Sequence, residues 1–517
     1  MQKLSYCLLN EKWINAIDID GNPTKVGIMD VFKNGHNLKD LRGNNDTEFS
    51  EYELYRFLIV MFMDMYRAKL NSDEDKIVLY RIGKFDESMV DEYFDKCKEE
   101  GVTFDLLDEE RPFMQCAKKD TLEIDKKFFN ETTPVSSLSC KIPTGNNLEF
   151  YTCNGLANEV PIHLSDYAYY LIHSHASAKC GCGYIATPLV PKFSVTTVLI
   201  KGDTVFDNIV LNSAVVPENA SVPFWRWTKP FDMEIIDILN GMLFPSGFYY
   251  PDYTSVNSEN KTISRMYRIK NSTYESLNKI ADLHKKIWFD QFEPHGVTKK
   301  VSNKDGSLKV PMEFYNNIGL LEMCDLLGIT DKDTKLLPNL SNVINSTNMA
   351  FYMRNVDKLY NAYIDIYTIS YKNQAMIKFA TKSKNEIPLD VIINSPQNIN
   401  AISDFVTKIR NVQQIILHVD KNIAKSKKKV VACREMTNRM FEEAVNDVFR
   451  EFLTQMKEDG SLSDAYIKDI YFRIKRIAVE LYRKNNATYK KIVEYVKDET
   501  KFEREVYFAL FPKVKKQ

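Results

Sequence analysis

The chain has 517 residues, of which 44% are hydrophobic and 27% are charged, so it can bury a large core and is too long for one ordinary domain. Its start lacks the basic region and apolar core of a signal peptide, and its nine cysteines are scattered. We therefore expect a reduced, cytoplasmic protein and not a secreted one. The most apolar run, residues 54–66, contains Arg56 and Asp64 and is shorter than the roughly 20 residues that span a bilayer, so we interpret it as a buried helix and not as a membrane segment.

Charge is distributed unevenly along the chain. The formal net charge is −1, but residues 401–517 carry 25 Lys and Arg against 17 Asp and Glu, a balance of +8. The remainder carries 44 basic against 53 acidic residues, a balance of −9. A basic C-terminal section predicts an anionic partner there, although solvated helix faces explain the same charge equally well.

Residues 1–395 predict a mixed α/β domain. A strand–turn–strand unit is predicted around Asp20–Pro23, where Gly and Pro mark a turn between two apolar stretches. The further elements are predicted, in chain order, as helices at about residues 50–70, 87–100 and 166–176, a strand at 194–200 and a helix from about residue 204. Their polar N-terminal residues predict Ser50, Ser165 and Asp203 as N-caps.

The chain changes character at Pro396. Beyond it only Gly460 and Pro512 interrupt the sequence, and apolar residues recur at helical spacing. One such face contains Ile402, Phe405, Val406, Ile409 and Val412. Four helices with short links predict an antiparallel four-helix bundle. The predicted fold class is therefore α+β, with a large mixed domain at residues 1–395 and the bundle at residues 396–517.

Four residues with metal-ligand side chains lie close together in the sequence: His173, His175, Cys180 and Cys182. Zinc takes four N or S ligands, usually with two to four residues between paired cysteines. Here one residue separates the cysteines, and histidines two apart on a helix face different directions. We therefore interpret the stretch as a helix end followed by a loop whose glycines let the backbone turn or approach a partner, in preference to a zinc site.

Asp252, Glu259 and Lys261 match the Asp…Glu-x-Lys pattern of many metal-dependent nucleases. In that chemistry two carboxylates hold Mg²⁺, and the lysine stabilises the attacking water. The pattern is short, and a polar surface loop explains it as well. The sequence contains no phosphate-binding glycine loop, dinucleotide fingerprint or H-E-x-x-H motif. A Mg²⁺-dependent nuclease is thus the alternative to a binding or scaffolding protein without a cofactor.

Basic runs mark the C-terminal section at residues 425–429, 473–476, 483–491 and 513–516. They include Lys427, Lys428, Arg473 and Arg476, and the aromatic residues between and beside them are Tyr471, Phe472, Tyr482 and Tyr489. This combination is typical of contacts to the phosphate backbone of nucleic acid, which carry no sequence information. Solvation of helix ends is the competing explanation.

Several short stretches, taken in order, resemble one family. They are LLNEKWINA (8–16), ERPFMQ (110–115), KCGCGY (179–184), SVTTVLIKGDTVFDNIVLN (194–212), WTKP (227–230), GMLF (241–244) and PHGV (294–297). Together they resemble the large, CasA-type subunit of type I-E Cascade, the RNA-guided DNA surveillance complex of bacterial CRISPR immunity. The resemblance covers nearly the whole chain. A cysteine-rich insertion of many members is missing at residues 249–265, so no zinc ribbon is expected.

The resemblance implies a non-catalytic subunit that reads a short duplex motif, the PAM, beside the double-stranded DNA target. In the family a glycine loop lies against the minor groove, and here that loop resembles the stretch with Lys179, Gly181 and Gly183. Absent side chains let backbone amides reach minor-groove acceptors. A lysine of the family also enters the groove, and Lys261 is the candidate.

The resemblance also implies a wedge that starts strand separation and R-loop formation, placed at Met353, Arg354 and Asn355, where the family's glutamine is not matched. A loop with Asn146 and Phe150 resembles the one that docks on the 5′ handle of the CRISPR RNA and on neighbouring subunits. The basic bundle surface is expected to guide displaced single-stranded DNA and to contact the small subunits. A recruited helicase-nuclease is expected to cut, while base pairing reads the target.

Overall fold

The computed structural model describes residues 4–44, 47–118, 131–139, 159–177, 194–216, 222–226, 249–268, 297–299, 313–314, 324, 334–336, 363–372, 376–385, 396–424, 431–459, 462–486 and 492–512. The chain divides into two compact units. The first comprises Met1–Asn317, Asp333–Tyr360 and Ile364–Lys384, and the second comprises Ile318–Lys332, Asn361–Tyr363 and Asn385–Gln517. The domain boundary between residues 395 and 396 stays a prediction.

Helices and short strands alternate along the first unit. Its described helices are α1 (Ile28–Asn34), α2 (Phe49–Met65), α3 (Asp73–Ile82), α4 (Glu87–Glu99), α5 (Leu164–Ser177) and α6 (Val205–Leu211). The described strands are β1 (Ile14–Asp18), β2 (Pro23–Val26), β3 (Leu38–Arg42), β4 (Thr132–Pro134), β5 (Ile162–His163), β6 (Ser194–Lys201), β7 (Tyr249–Pro251), β8 (Val256–Asn257), β9 (Thr262–Ile263), β10 (Arg265–Arg268), β11 (Val297–Lys299), β12 (Glu313–Phe314), β13 (Thr334–Leu336), β14 (Tyr363–Lys372) and β15 (Met376–Asn385). The mixed α/β prediction is confirmed.

The described strands form three-stranded sheets with the orders β2-β1-β3, β4-β10-β7, β5-β9-β8, β12-β11-β13 and β15-β14-β6. The first sheet is antiparallel. At its β1–β2 turn Gly21 has a φ of +89°, and the Asp18 carboxylate accepts a hydrogen bond from the Asn22 N–H at 2.8 Å. Glycine adopts this left-handed conformation without steric cost, so the sequence places the turn where the structure has it.

The predicted helices are present, but their N-caps are not the predicted ones. Ser50 already lies inside the first turn of α2. In α5 the capping side chain is His163, whose Nδ1 accepts a hydrogen bond from the N–H of Ser165 at 3.1 Å. In α6 the cap is Thr204, one residue after Asp203. The three predictions are wrong by one or two residues, because several neighbouring polar side chains can satisfy the free N–H groups of a helix start.

Helix α2 is buried along its whole length, which confirms the prediction of a buried helix. Its charged residues are buried with it, and buried charges are tolerated only when they are paired. The Glu53 carboxylate lies within hydrogen-bond distance of His173, and Asp64 forms an ion pair with Arg226 at 2.8 Å. Within the described residues no helix combines the length and the apolar character needed to cross a membrane.

A third set of charges, named here the ionic cluster, is buried or half-buried except for the exposed Arg42 and consists of Asp40, Arg42, Glu51, Lys201, Asp365 and Lys382. The fully buried Nζ of Lys201 lies 2.7 Å from Asp40 Oδ1, 3.2 Å from Glu51 Oε1 and 3.9 Å from the centroid of the Tyr55 ring. The Nζ of Lys382 lies 2.7 Å from Glu51 Oε1 and 2.9 Å from Asp365 Oδ2. Three carboxylates therefore face three cations, and the cluster is neutral.

The ionic cluster ties β6, β14 and β15 to β3 and α2. Burial by itself would raise the pKa of the Asp40 carboxyl, but the Lys201 charge and hydrogen bonds from Lys201 and Tyr55 outweigh it and lower that pKa. Burial raises the pKa of the Asp365 carboxyl, which Lys201 and Lys382 offset only in part. The sheet β15-β14-β6 is thus anchored by charge pairs that depend on both partners being present.

The described helices of the second unit are α7 (Pro396–Ala424), α8 (Val431–Asp459), α9 (Asp464–Asn486) and α10 (Ile492–Leu510). α7 packs against α8 and α10, α8 packs against α9, and α9 packs against α10, which closes an antiparallel four-helix bundle. The predicted α7 face lies in the core, where the Phe405 ring stacks on Phe449 and Phe452 at centroid distances of 4.9 and 4.6 Å. The bundle prediction is confirmed.

Candidate nucleic-acid interface

Lys261 lies at the tip of the hairpin formed by β8 and β9. The side-chain oxygen of Asn257 accepts hydrogen bonds from the N–H groups of Glu259 and Asn260 at 3.0 and 3.1 Å, which closes the turn. Lys261 then adopts a φ of +49°, which is uncommon for a residue with a Cβ. Its carbonyl accepts a hydrogen bond from the N–H of Leu164, the first residue of α5, at 2.8 Å. The turn therefore fixes the Lys261 backbone against the start of α5.

The side chain of Lys261 is paired with a carboxylate. Its Nζ lies 3.2 and 3.0 Å from the two Glu11 oxygens and 5.5 Å from the centroid of the Tyr6 ring. The side chains of Lys261 and Glu11 are 43% and 33% exposed, so water screens the pair and it contributes little to stability. An open cleft of about 460 Å³ surrounds them, lined by Ser5, Tyr6, Cys7, Asn10, Glu11, Lys12, His163 and Lys261. The ammonium group is therefore within reach of a ligand that displaces Glu11.

Lys261 and the glycine stretch lie at opposite ends of α5 along the chain. Lys261 contacts the first residue of this helix, whereas the stretch with Lys179, Gly181 and Gly183 follows its last residue, Ser177. At a rise of 1.5 Å per residue the two ends are about 20 Å apart. The three residues of the stretch lie outside the described residues, so their grouping with Lys261 stays a prediction.

The two histidines near the end of α5 contact different neighbours. The Nδ1 of His173 lies 2.7 Å from Oε1 of Glu53, and the Nε2 of His175 donates to the Met114 carbonyl at 2.9 Å. Both side chains are buried. The two cysteines of the candidate zinc site lie outside the described residues. In the part of the chain that the structure describes, no group of three or more His, Cys, Asp and Glu residues could hold a metal ion.

We expect His175 to make stability depend on pH. Burial lowers its pKa from 6.5 to about 4, against which the contact with the Met114 carbonyl has a smaller effect. Below pH 6.5 the unfolded chain binds a proton that the folded chain binds only near pH 4. Stability that is complete above pH 6.5 is therefore lost as the pH falls towards 4, by about 3 kcal/mol in total.

The matched variant is His175→Gln, which keeps a donor for the Met114 carbonyl and does not titrate. Urea denaturation followed by tryptophan fluorescence reports the first unit, because it contains all four tryptophans: Trp13, Trp225, Trp227 and Trp288. Between pH 7 and 4.5 the wild type should lose about 2 kcal/mol more than the variant. Equal losses in the two proteins would contradict the role given to His175.

Asp252 has a structural role. It is buried, its Oδ2 accepts from Nε of Arg265 at 2.9 Å, and its Oδ1 accepts from the hydroxyl and N–H of Thr254 at 2.7 and 3.0 Å. Burial opposes these bonds, but together they lower the pKa of Asp252. Glu259 is exposed at the hairpin tip, and Lys261 is paired elsewhere. The structure does not gather the three residues around a metal ion, so the nuclease alternative is not supported.

Other predicted contact residues lie outside the described residues: Asn146, Phe150, Met353, Arg354, Asn355, Lys427 and Lys428. The structure does describe the strands into which two of the segments continue. The glycine stretch leads to β6, the predicted wedge leads to β14, and these strands are neighbours in the sheet β15-β14-β6. The ionic cluster holds both strands through Lys201 and Asp365. Along the chain, two predicted DNA-contacting segments therefore each precede a strand of the same anchored sheet.

Arg473 and Arg476 of α9 have different environments. Arg473 forms two hydrogen bonds of 2.7 Å to the Glu451 carboxylate of α8, whereas Arg476 is exposed and has no ion pair within the described residues. Tyr471 and Tyr482 are only 3% and 5% exposed. The expectation that these tyrosines accompany the basic surface is wrong, because positions 471, 474, 478 and 482 share the inward face of the helix.

Sequence reasoning missed two features of these surfaces. Nothing in the sequence links Glu11 to Lys261, 250 positions further on. The basic runs of the sequence indicate Phe472, which lies beside one of them, but not Tyr507 or Phe508, although all three are exposed on the bundle. Only the packing of α9 against α10 makes them neighbours.

Comparison with known proteins identifies what the chain is similar to. Residues 8–235 match the family model described as CRISPR-associated protein Cse1. The fold is similar to that of Cse1 from Acidimicrobium ferrooxidans, at 15% identity and a TM-score of 0.68, with 99% of each chain covered. It is similar to CasA (Cse1) from Thermus thermophilus at 14% identity and a TM-score of 0.65, with 98% of this chain and 99% of that chain covered.

A chain in a structure reported as a CRISPR RNA-guided surveillance complex is similar at 14% identity and a TM-score of 0.70, with 97% of this chain and 99% of that chain covered. A search of the curated proteins found no match. At such identities the structural matches show that the fold is shared along nearly the whole chain.

Proposed function

We propose, from the match of residues 8–235 to the Cse1 family model, that this chain is the large, non-catalytic subunit of a type I-E RNA-guided DNA surveillance complex. The family match carries the proposal. The fold shared with a chain of a CRISPR RNA-guided surveillance complex supports it along the rest of the sequence. In such a complex base pairing with the guide RNA reads the target, and the protein reads a short duplex motif beside it.

In this role the glycine stretch with Lys179, Gly181 and Gly183 reads the motif through the minor groove, and Lys261 adds a positive charge. The contacts of Lys261 support its part, because its backbone is fixed by the hairpin while its ammonium group faces an open cleft. Glu11 neutralises that ammonium group in the free protein. Groove entry therefore requires Lys261 to exchange Glu11 for nucleic acid.

The remaining partners follow from the same proposal. The segment at Met353–Asn355 starts strand separation, and the loop with Asn146 and Phe150 docks on the 5′ handle of the CRISPR RNA and on neighbouring subunits. The bundle contacts displaced single-stranded DNA and the small subunits, and the assembled complex recruits the helicase-nuclease that cuts. A cytoplasmic location stays a prediction.

The proposal is tested by assembling the chain with guide RNA and the other subunits of its complex. A gel-shift assay should show binding of target duplex only when a particular adjacent motif is present, and only in complexes that contain this chain. Plasmid DNA with Mg²⁺ should remain intact in the presence of the chain alone. Motif-independent binding, or plasmid cleavage that Asp252→Ala abolishes, would overturn the proposed function.

The ion pair between Lys261 and Glu11 gives a more specific prediction. In the assembled complex Lys261→Ala should weaken duplex binding roughly tenfold, because one charge-assisted contact of about 1.4 kcal/mol is lost. Glu11→Gln should strengthen it a few-fold, because Lys261 no longer has to leave a carboxylate. Lys12→Ala is the control, since Lys12 lines the same cleft and pairs with Asp30. Equal effects of the two lysine variants would contradict a specific role for Lys261.

A further inference from the structure

Three aromatic side chains are exposed on the bundle. Phe472 of α9 is 51% exposed, and Tyr507 and Phe508 of α10 are each 40% exposed. Among the exposed large apolar side chains in the described ranges, these three alone are aromatic. Isolated apolar residues are ordinary on a protein surface, whereas clustered ones mark a binding site.

The exposed rings form one continuous surface. The centroid of Phe511 lies 5.0 Å from that of Phe472 and 5.0 Å from that of Tyr507, and Tyr507 lies 6.0 Å from Phe508. These four residues are named here the aromatic patch. Phe472 comes from α9 and the other rings come from the end of α10 and the residue that follows it, so the patch exists only when the two helices pack together.

Cations flank the aromatic patch. Lys468 and Arg476 lie one helical turn before and after Phe472; both are exposed, and neither has an ion pair within the described residues. The guanidinium group of Arg504 lies 5.6 Å from the centroid of the Phe508 ring. Positive charge therefore alternates with exposed aromatic faces across both helices.

The carboxylates near the patch are largely neutralised by other cations. Glu503 pairs with Lys475 at 2.7 Å, and Glu505 lies 3.9 Å from Lys501. On α9 two exposed carboxylates remain near these cations, Asp469 beside Lys468 and Glu480 one helical turn after Arg476, against three cations. The three flanking cations thus leave a positive surplus at the patch, which favours a polyanion over a protein surface of mixed charge.

We propose that the aromatic patch is a base-stacking site for single-stranded nucleic acid. Sites of this kind combine cations that follow the phosphate backbone with aromatic rings on which successive bases stack, and they tolerate any sequence. The inference rests on the proposed function, in which the displaced DNA strand is the available single strand. The proposed site differs from the basic surface that the sequence predicts. Arg473 is held by Glu451, so the main contact is made instead by the exposed rings between Lys468, Arg476 and Arg504.

The test compares two labelled oligonucleotides of equal length, oligo-dT and an abasic strand with the same phosphates, binding to the full chain in fluorescence anisotropy. The wild type should bind oligo-dT more tightly than the abasic strand. Phe472→Ala with Tyr507→Ala should weaken oligo-dT binding about tenfold or more and leave abasic binding nearly unchanged. Val496→Ala is the matched control, because Val496 is 53% exposed on α10 about three turns before Tyr507.

A second variant guards against loss of folding. Phe472→Trp keeps a stacking face, so it should retain oligo-dT binding and gain a fluorescence signal that oligo-dT quenches and the abasic strand does not. The inference is overturned if the wild type binds both strands equally, if the double variant keeps its oligo-dT affinity, or if it loses both strands alike. It is also overturned if the double variant only releases other subunits of the complex, since the patch is then a protein-docking surface.

The inference and the proposed function fail separately. If the assembled complex binds the duplex only with the motif but the patch shows no preference for bases, the stacking site is refuted and the proposed function stands. If bases stack on the patch but the assembled complex shows no motif-dependent duplex binding, the proposed function is refuted. The bundle is then a module that binds single-stranded nucleic acid.

Discussion

Lys201→Met is expected to lower the free energy of unfolding of the first unit by about 3 kcal/mol. Lys201 is fully buried and holds Asp40 and Glu51 at 2.7 and 3.2 Å. Methionine fills similar space without charge and leaves two buried carboxylates short of a cation. Breaking a buried pair costs about 3–5 kcal/mol, and the lower end applies because Glu51 keeps its contact with Lys382.

Urea denaturation followed by tryptophan fluorescence measures this loss, because all four tryptophans belong to the first unit. Lys25→Met is the control: Lys25 is exposed on β2, and such a substitution is expected to change stability by less than about 0.5 kcal/mol. A loss below about 1 kcal/mol in Lys201→Met would show that water already reaches the cluster and screens its charges.

The second large effect is expected from Gly183→Asp in the assembled complex. If the stretch at residues 179–184 lies against the minor groove, a side chain adds bulk where the backbone must approach, and its carboxylate faces the phosphates. Like charges brought together at an interface cost several kcal/mol, so motif-dependent duplex binding should fall about 100-fold. A gel-shift titration with matched duplexes that contain or lack the motif measures the change.

Cys180→Ser with Cys182→Ser is the control for this experiment. A groove-reading loop depends on its glycines and not on its sulfurs, so the double variant should bind the duplex as the wild type does. Loss of binding in the cysteine variant, together with stoichiometric zinc in the wild-type protein by elemental analysis, would restore the metal site that the spacing argues against. If Gly183→Asp binds the duplex as the wild type does, another part of the protein must recognise the motif.

The two experiments concern connected parts of the molecule. In the sequence the glycine stretch precedes β6 by nine residues, 185–193, and β6 ends at Lys201, the central cation of the ionic cluster. A weakened cluster should therefore also reduce duplex binding in the assembled complex, but by less than Gly183→Asp does, because it loosens the anchor of the stretch without changing its contact surface.

Several features could be predicted from the sequence because they depend on residues that are close together in it. The inward face of α7 follows from apolar residues at helical spacing, and Ile402 to Val412 lie in the core as expected. The turn at Gly21 follows from local backbone sterics. The divergence of His173 and His175 follows from helix geometry, and the structure shows each with a different partner.

By itself, then, the sequence determined the class of fold, the bundle and the family resemblance, since periodicity, turn residues and ordered motifs are properties of short stretches. Only the tertiary structure decided that Asp252 pairs with Arg265 and not with a metal, that Glu11 forms an ion pair with Lys261, and that Phe472 packs against the aromatic rings at the end of α10. Those contacts join segments whose separation along the chain says nothing about their distance in space. They exist because burial of apolar faces brings the elements together, and the polar and aromatic groups left at the contacts then find their partners.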